Sequence, residues 1–339
     1  MTRRMRQPPI GRGAVVALVV MMLLSLTRPI GTAASGQAPD GCRVDGHTVL
    51  APSEQGGAGV RFGAWVGTDV NVAGDEAAFE RAIGKPRAIR HWYWSAAPIS
   101  VEAANFAAWS GTTPPGAVLL LSWAPSPHDS SLERVNDGAH DAYVVEWARA
   151  LRAYGREVWL RPMWEDNGTW YWWRSRAVAD DGTKEQFQAA YRRVVDVFRR
   201  EQANNVRFVW SPAVRGDGES VPILSYPGDA YVDLIGLDGY PAGSETNDFR
   251  AHFKQDYDEL VALGKPLVIA ETSINFENDA DRARYVTNLL ACELPQHFPK
   301  VEALVWFSQP EWGDLLDPAY PLTREAFRSG IADPYYLGR

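Results

Sequence analysis

The 339-residue chain is predicted to form one (β/α)₈ barrel, and three observations favour this fold class. Eight short apolar runs follow residue 58, amphipathic helical patterns lie between them, and no change of composition marks a second domain. Because each run is continuously apolar, each is typical of a strand buried on both faces of a parallel sheet. A doubly wound open sheet is the alternative, but it predicts a Gly-rich first turn and fewer strands.

The predicted strands and helices alternate in chain order. Among the helical patterns, residues 184–203 give the clearest one, with Phe187, Tyr191 and Phe198 on a single face. Further helical patterns cover residues 141–154, 249–263 and 281–290. The predicted strands are residues 61–67, 88–93, 117–123, 157–162, 206–210, 232–237, 266–270 and 301–307.

Residues 1–34 are typical of a secretory signal peptide. Arg3, Arg4 and Arg6 precede an apolar run from Gly13 to Leu26, and small residues follow at 32–34. The run is shorter than the about 20 residues of a membrane-spanning helix, so we expect cleavage, with an uncleaved anchor as the alternative. Residues 35–58 are predicted to be a flexible leader and residues 59–339 the barrel. We therefore expect a secreted, extracellular or cell-envelope protein that does not bind membranes after cleavage.

Charge and cysteine content narrow the class of protein further. The net charge is −8 and basic residues are scattered, so no nucleic-acid-binding surface is predicted. The histidines lack metal-ligand spacing and no phosphate-binding loop is present, so we expect no metal and no cofactor. Cys42 and Cys292 either form a disulfide in an oxidising compartment or remain two isolated thiols. We expect a monomer.

Residues 161–173, with the sequence RPMWEDNGTWYWW, are the most informative segment. They follow the fourth predicted strand and place Glu165 among aromatic side chains, where desolvation raises a carboxyl pKa. Glu271 ends the seventh predicted strand, and in a (β/α)₈ barrel both strand ends open at the same mouth. Paired carboxyl groups suit glycosidic cleavage, in which one protonates the leaving oxygen while the other attacks or activates water. A capping or ion-paired role for Glu271 is the structural alternative.

The same segment resembles the acid/base motif of glycoside hydrolase family 26, the β-mannanase family of a clan of retaining (β/α)₈ enzymes. The resemblance covers about residues 60–320 of the chain. Supporting matches occur in order at residues 63–67 (GAWVG), 209–212 (VWSP), 233–241 (DLIGLDGYP), 269–271 (IAE) and 305–307 (VWF).

The resemblance implies roles for individual residues. Glu165 would be the acid/base and Glu271 the nucleophile, with Tyr240 hydrogen-bonded to Glu271. The other implied substrate-site residues are Trp306 as the floor of the cleavage subsite, Trp170 on the leaving-group side and Arg161 as positive charge in the mouth.

Two positions depart from the family motif. Trp164 stands where the family usually has His, and Asp166 stands where it usually has Met, which puts a further carboxylate beside the acid. An indole has one N–H donor and no acceptor, so we expect altered sugar recognition at Trp164.

Two aromatic residues on the first strands complete the predicted site. His91 is predicted to contact sugar hydroxyls, with a packed core histidine as the alternative. Trp65 is predicted to be a stacking platform for a sugar ring, with core packing as the alternative.

The predicted function is that of a secreted, retaining endo-β-glycanase whose partner is a polysaccharide. β-1,4-Mannan is the first substrate, and mixed-linkage β-glucan and β-1,3-xylan are alternatives within the same chemistry. A non-catalytic polysaccharide-binding barrel is the alternative from another class of protein.

Overall fold

The structure, a computed structural model, describes residues 59–69, 72–94, 106, 110–126, 130–175, 183–218, 220–241, 248–310 and 312–339. The predicted signal peptide and leader, and with them Cys42, lie outside the described residues. Cys292 is not a free thiol, but because Cys42 is not described, the pairing of these two cysteines stays a prediction.

Eight parallel strands form a closed barrel. Each strand pairs with the next along the chain, and the last returns to the first, from Arg61 opposite Ala303 to Val66 opposite Ser308. The predicted (β/α)₈ barrel is therefore confirmed and the open-sheet alternative is wrong. The strands are β1 (Val60–Asp69), β2 (Ile89–Trp94), β3 (Val118–Trp123), β4 (Val158–Pro162), β5 (Val206–Trp210), β6 (Leu234–Gly239), β7 (Leu267–Thr272) and β8 (Val301–Ser308).

Helices surround the barrel, and the four predicted ones are present, one with the predicted bounds and three with shifted ends. A capping box of Thr183 and Gln186 starts the longest of them, α4. The helices are α1 (Glu76–Ile83), α2 (Leu132–Asn136), α3 (Asp141–Tyr154), α4 (Lys184–Arg200), α5 (Phe249–Val261), α6 (Asp279–Asn288), α7 (Leu294–His297) and α8 (Pro321–Ile331). A π-helical turn, Leu289–Glu293, joins α6 to α7.

The barrel interior is filled by an apolar layer from the strands: Ile89, Val118, Leu120, Trp159, Val209, Leu234, Val268, Ala270, Ala303 and Val305. Side chains two or four residues further along the same strands face inward above this layer, because alternate residues share a face. By this alternation Tyr93, Ser122, Arg161 and Asp238 face the mouth of the barrel. The layer thus supports a group of polar and aromatic side chains at the carboxyl ends of the strands.

An irregularity at the end of β7 determines where Glu271 points. Leu237 lies opposite Ile269, but the next residue, Asp238, lies opposite Glu271, so Ala270 is an extra residue on β7. Such a bulge changes the direction of the side chain that follows it. Without it Glu271 would alternate with the inward-facing Ala270 and point toward the helices; with it, Glu271 lies at the mouth beside Asp238.

Within the described ranges, no helix is long and apolar enough to cross a membrane. Over the same ranges, no group of three or more His, Cys, Asp or Glu side chains is arranged to hold a metal ion.

Candidate active site

Glu165 lies in a strained turn that follows β4. Met163 and Glu165 have φ angles of 52° and 51°, in the left-handed region that residues other than glycine rarely adopt. The Glu165 N–H donates to the carbonyl of Ser211 at 2.7 Å, and its carbonyl accepts from the Gly168 N–H at 3.1 Å. These two hydrogen bonds hold the turn against the end of β5 and fix the backbone from which the carboxyl group projects.

The side chain of Asn167 also holds this turn in place. Its amide nitrogen donates to the carbonyls of Ala213 and Ser220 at 2.8 and 3.0 Å. Its amide oxygen accepts from the Ala213 N–H at 2.8 Å. Asn167 lies in the motif that carries Glu165, but its role as the link to the loop after β5 was not predicted from the sequence.

The Glu165 carboxyl group is 7% exposed and accepts the indole N–H of Trp170 on Oε2 at 2.8 Å. Burial and the nearby charge of Asp238 raise the pKa of Glu165 to about 8, although Arg161 and the Trp170 hydrogen bond oppose this shift. Trp170 thus contacts the proposed acid directly, whereas its expected place on the leaving-group side stays a prediction. With this pKa, Glu165 carries a proton through much of the neutral range.

Glu271 is 4% exposed and is held on both oxygens. Arg161 donates from Nη2 to Oε1, and the Tyr240 hydroxyl donates to Oε2, as expected from the resemblance. Tyr240 is held in turn, because its backbone N–H donates to Asp217 Oδ2 at 2.7 Å. His252 of α5 lies 3.0 Å from the same oxygen. A guanidinium and a hydroxyl that both bind a carboxylate favour its charged form.

Arg161 is 0% exposed and joins three elements at the base of the mouth. Its Nη1 donates to both oxygens of Asp238 at 2.8 and 2.9 Å, and its Nε donates to Ser122 Oγ at 2.8 Å. The positive charge expected of Arg161 is present at the mouth, but the guanidinium is buried and bound by these groups and Glu271, so its predicted role as a substrate-binding residue is wrong. It positions Glu271 from below.

Asp238 is a site residue that the sequence analysis missed, although it lies within the quoted DLIGLDGYP run. Burial raises its pKa to about 7, against the opposing charge of Arg161 and the hydrogen bond from Ser211. Asp238 and Arg161 form a fully buried ion pair. Asp238 and Glu271 together balance the positive charge of the Arg161 guanidinium.

An aromatic wall formed by Tyr93, Trp164, Tyr171 and Trp173 lies beside Glu165. Trp164 donates its indole N–H to the Tyr171 hydroxyl at 3.0 Å, and Trp173 donates to the Trp164 carbonyl at 2.8 Å. The ring centroids of Trp164 and Tyr93 are 5.7 Å apart. The Trp164 N–H is therefore engaged by protein, and this position presents an apolar surface instead of the donor expected from the sequence.

His91 and Trp65 lie beneath the mouth, and their predicted sugar contacts are wrong. His91 is buried and its Nε2 lies 2.7 Å from Ser122 Oγ. Burial and the charge of Arg161 lower the pKa of His91 well below its usual value, so the ring is neutral. Trp65 is also fully buried, with its ring packed edge-on against Trp92 and Tyr93 at centroid distances of 5.2 and 5.3 Å. Both side chains pack against Tyr93 from within the core, and His91 shares the Ser122 hydroxyl with Arg161.

Trp306 also does not line the mouth, so its predicted role as the floor of a subsite is wrong. It alternates with the inward-facing Val305 and therefore faces α8, where its ring packs 4.9 Å from Phe327. The rings that reach Tyr240 belong to Phe307 and Trp312, at centroid distances of 5.9 and 5.0 Å.

Asp166 does not form a second carboxylate beside Glu165. It is fully buried and accepts the indole N–H of Trp210 at 3.2 Å. Since Trp210 alternates with the inward-facing Val209, this contact lies on the outer face of β5. Burial raises the pKa of Asp166 to about 7.

The carboxyl groups of Glu165 and Glu271 belong to one electrostatic site. Burial, followed by the charge of Glu165, raises the pKa of Tyr240 well above its usual value, and Tyr240 is hydrogen-bonded to Glu271. Arg161, which binds Glu271, in turn lowers the pKa of Glu165. The mouth thus combines a carboxyl group that retains its proton with a carboxylate held by cationic and hydroxyl donors. Such a pair can supply a general acid and a nucleophile or base.

Comparisons with known proteins point to one family. A sequence model of glycosyl hydrolase family 26 matches residues 69–285. "Endoglucanase H" of Acetivibrio thermocellus is 32% identical over 289 residues, which are 81% of this chain and 31% of that protein. "Mannan endo-1,4-beta-mannosidase A and B" of Caldalkalibacillus mannanilyticus is 32% identical over 198 residues, which are 54% of this chain and 36% of that protein. The chain thus spans about a third of the length of these two relatives.

Solved structures share the fold. The catalytic domain of the GH26 endo-beta-1,4-mannanase from Bacillus sp. JAMB-750 superposes with a TM-score of 0.63 at 20% identity, covering 83% of this chain and 88% of that one.

Proposed function

Because the chain belongs to glycosyl hydrolase family 26, we propose that it is a retaining endo-β-glycanase in which Glu165 is the acid/base and Glu271 the nucleophile. The observation that carries this proposal is the contrast between the two carboxyl groups in one mouth. Glu165 has a pKa raised to about 8, whereas Glu271 is bound by Arg161 and Tyr240. An acid that keeps its proton beside a carboxylate held in its charged form is what double displacement requires.

The proposed reaction has two steps. In the first, a Glu271 oxygen bonds to the anomeric carbon, the glycosidic C–O bond breaks, and Glu165 gives its proton to the leaving sugar oxygen. In the second, Glu165 takes a proton from water, the water oxygen bonds to the anomeric carbon, and the Glu271 ester bond breaks. Tyr240 and Arg161 orient Glu271 in both steps.

We propose β-1,4-mannan as the first substrate, since the mannan endo-1,4-beta-mannosidase named above shares 32% identity with this chain. β-Glucan is a second candidate that two observations favour. The relative named as an endoglucanase matches 81% of this chain, against 54% for the mannosidase. In addition, Trp164 stands where the family usually has histidine, and because its N–H is bound by Tyr171 it offers the sugar an apolar surface.

A substrate panel tests the proposed function. The chain is incubated with mannan, mixed-linkage β-glucan and β-1,3-xylan, and reducing ends are measured. We expect release from at least one of them, and loss of release in Glu165→Ala and Glu271→Ala variants that circular dichroism shows to be folded at the assay temperature. Products of the wild-type reaction, followed by proton NMR before mutarotation, are expected to retain the anomeric configuration. A chain that binds a glycan and cuts none supports the non-catalytic alternative.

We also propose that the protein is secreted and that cleavage follows residue 34, on the basis of the apolar run described above. The test is the N-terminal sequence of protein recovered from the culture medium. A start near residue 35 supports the proposal, and full-length protein retained by cell membranes contradicts it.

A further inference from the structure

The hydroxyl of Tyr93 is a buried polar group in the mouth that has no hydrogen-bond partner among the described residues. Tyr93 follows Ile89 and His91 on the inward face of β2, at its carboxyl end. The residue is 6% exposed. Tyr93 therefore lies at the mouth of the barrel, on the inward face of β2.

Tyr93 differs in this respect from the two other tyrosines at the mouth. The Tyr240 hydroxyl donates to Glu271, and the Tyr171 hydroxyl accepts from Trp164. A buried hydroxyl without a partner carries an uncompensated desolvation cost, so proteins rarely retain one unless something else satisfies it.

Tyr93 lies near residues that contact each of the two carboxyl groups. Burial raises the pKa of Tyr93 well above its usual value; Tyr240 and Tyr171 add to this rise, and Arg161 opposes it. Tyr240 binds the proposed nucleophile, and Tyr171 belongs to the wall beside Glu165. The phenol ring is held edge-on by Trp65, Trp164 and Phe307 at centroid distances of 5.3, 5.7 and 6.1 Å.

We propose that the Tyr93 hydroxyl is a substrate-binding group that hydrogen-bonds a hydroxyl of the sugar ring bound between Glu165 and Glu271. The inference rests on the proposed function, because it needs a saccharide in the mouth. A phenol hydroxyl donates one hydrogen bond and accepts others, and a sugar hydroxyl likewise both donates and accepts. The rigid aromatic surroundings fix the oxygen in place, so the contact discriminates among sugars by the position of their hydroxyls.

Tyr93→Phe tests the proposal because it deletes only the unpartnered oxygen. We expect kcat/KM on the polysaccharide that the wild type cleaves to fall about 10- to 100-fold, the range of one substrate hydrogen bond. The melting temperature is expected to stay constant or rise, since no protein contact is lost. A Tyr93→Phe variant with wild-type kcat/KM on every cleaved substrate overturns the proposal.

Tyr191→Phe is the matched control. Tyr191 is fully buried on α4, and its hydroxyl likewise has no partner among the described residues. It lies among the helices, so we expect unchanged kcat/KM and a similar effect on the melting temperature. An equal loss of activity in both variants would show that the effect is a general packing effect, and it would overturn the assigned role of Tyr93.

The two proposals fail in different ways. If the wild type binds oligosaccharides without cleaving them, the proposed catalysis fails, and calorimetric titration then compares wild type with Tyr93→Phe. Binding weakened by about 10-fold or more still supports the Tyr93 contact, and equal binding overturns it. If the wild type neither cleaves nor binds any β-glycan of the panel, both proposals are overturned.

Discussion

Trp170 donates its indole N–H to Oε2 of Glu165 at 2.8 Å, and this bond lowers a pKa that burial and Asp238 raise. The two residues are five positions apart in one turn. The Trp170 ring therefore contributes to the protonation state of the proposed acid. Because this hydrogen bond and the charge of Arg161 both oppose the effect of burial on the pKa of Glu165, the pH dependence of the reaction tests the assignment.

Replacement of Trp170 by Phe is expected to shift the alkaline limb of the pH profile upward. The hydrogen bond favours the ionised form of Glu165, so its loss raises the pKa above about 8. In the first step Glu165 acts while protonated, and kcat/KM therefore falls as pH rises through this pKa. The measurement is kcat/KM from about pH 5 to 10. Trp172→Phe is the control, because the Trp172 ring packs on Trp173. If the alkaline limb of Trp170→Phe stays in place or moves to lower pH, the assignment of Glu165 as the acid is contradicted.

Arg161→Lys is expected to lower kcat by about 100-fold or more, the order found when one preorganised electrostatic contact is removed. Lysine keeps the charge but lacks the planar fork, so it cannot bind Asp238, Glu271 and Ser122 together. We expect a lower melting temperature as well, because buried carboxylates lose partners.

Arg149→Lys is the control for this substitution. Arg149 pairs with Glu201 at 2.7 Å, but its side chain is 60% exposed, and exposed pairs contribute only about 0–1 kcal/mol. Wild-type kcat in Arg161→Lys would show that Glu271 does not need the guanidinium of Arg161 to hold it in place.

Asp166→Asn is expected to stabilise the protein increasingly as pH rises. The folded-state pKa of Asp166 is raised to about 7 from an ordinary value of 3.8. A group with a raised pKa contributes its full stability below the unfolded-state value and loses it as pH rises through the folded-state value. The loss is about 1.4 kcal/mol for each unit between the two pKa values, and asparagine does not ionise.

The measurement is the difference in melting temperature between Asp166→Asn and wild type, from about pH 4 to about pH 8. Glu146→Gln on the exposed face of α3 is the control, and like most surface substitutions it is expected to change the melting temperature little. A constant or shrinking difference for Asp166→Asn would mean that Asp166 is ionised in the folded protein over the whole range.

The barrel and the positions of Glu165 and Glu271 could be predicted because they depend on local signals. Apolar runs indicate the strands, and the carboxyl end of each strand lies at the mouth of the barrel whatever the lengths and conformations of the loops. The direction of side chains within a strand could not be predicted in the same way. A strand buried on both faces has no polar alternation, so nothing in the run VWF distinguishes the outward Trp306 from the inward Phe307.

The hydrogen-bond partners of Arg161 could not be predicted for a different reason. Its partners Asp238 and Glu271 lie 77 and 110 positions away along the chain. Only the closed barrel and the bulge at Ala270 bring all three together. Similarly, the left-handed turn at Met163 and Glu165 directs Asp166 to the outer face of β5, and no propensity in a segment without glycine at these positions predicts such a turn.

Trp164→His is expected to shift substrate preference toward mannan. The indole N–H is engaged by Tyr171, so the wild-type wall offers the sugar only an apolar face. Imidazole is smaller and carries both a donor and an acceptor nitrogen, which adds polar contacts at the position where the family usually has histidine. We expect the ratio of kcat/KM on mannan to kcat/KM on mixed-linkage β-glucan to rise about 10-fold, the effect of about 1.4 kcal/mol.

Trp164→Phe separates polarity from size at this position. Phenylalanine also loses the bond to Tyr171 and leaves space beside Tyr93, but it adds no polar atom. If the wall acts by excluding hydrogen bonds to the sugar, Trp164→Phe lowers activity on both polysaccharides and leaves their ratio unchanged, whereas Trp164→His changes the ratio. An equal change of ratio in both variants would show that the volume of the indole, and not its apolar surface, governs the choice of sugar.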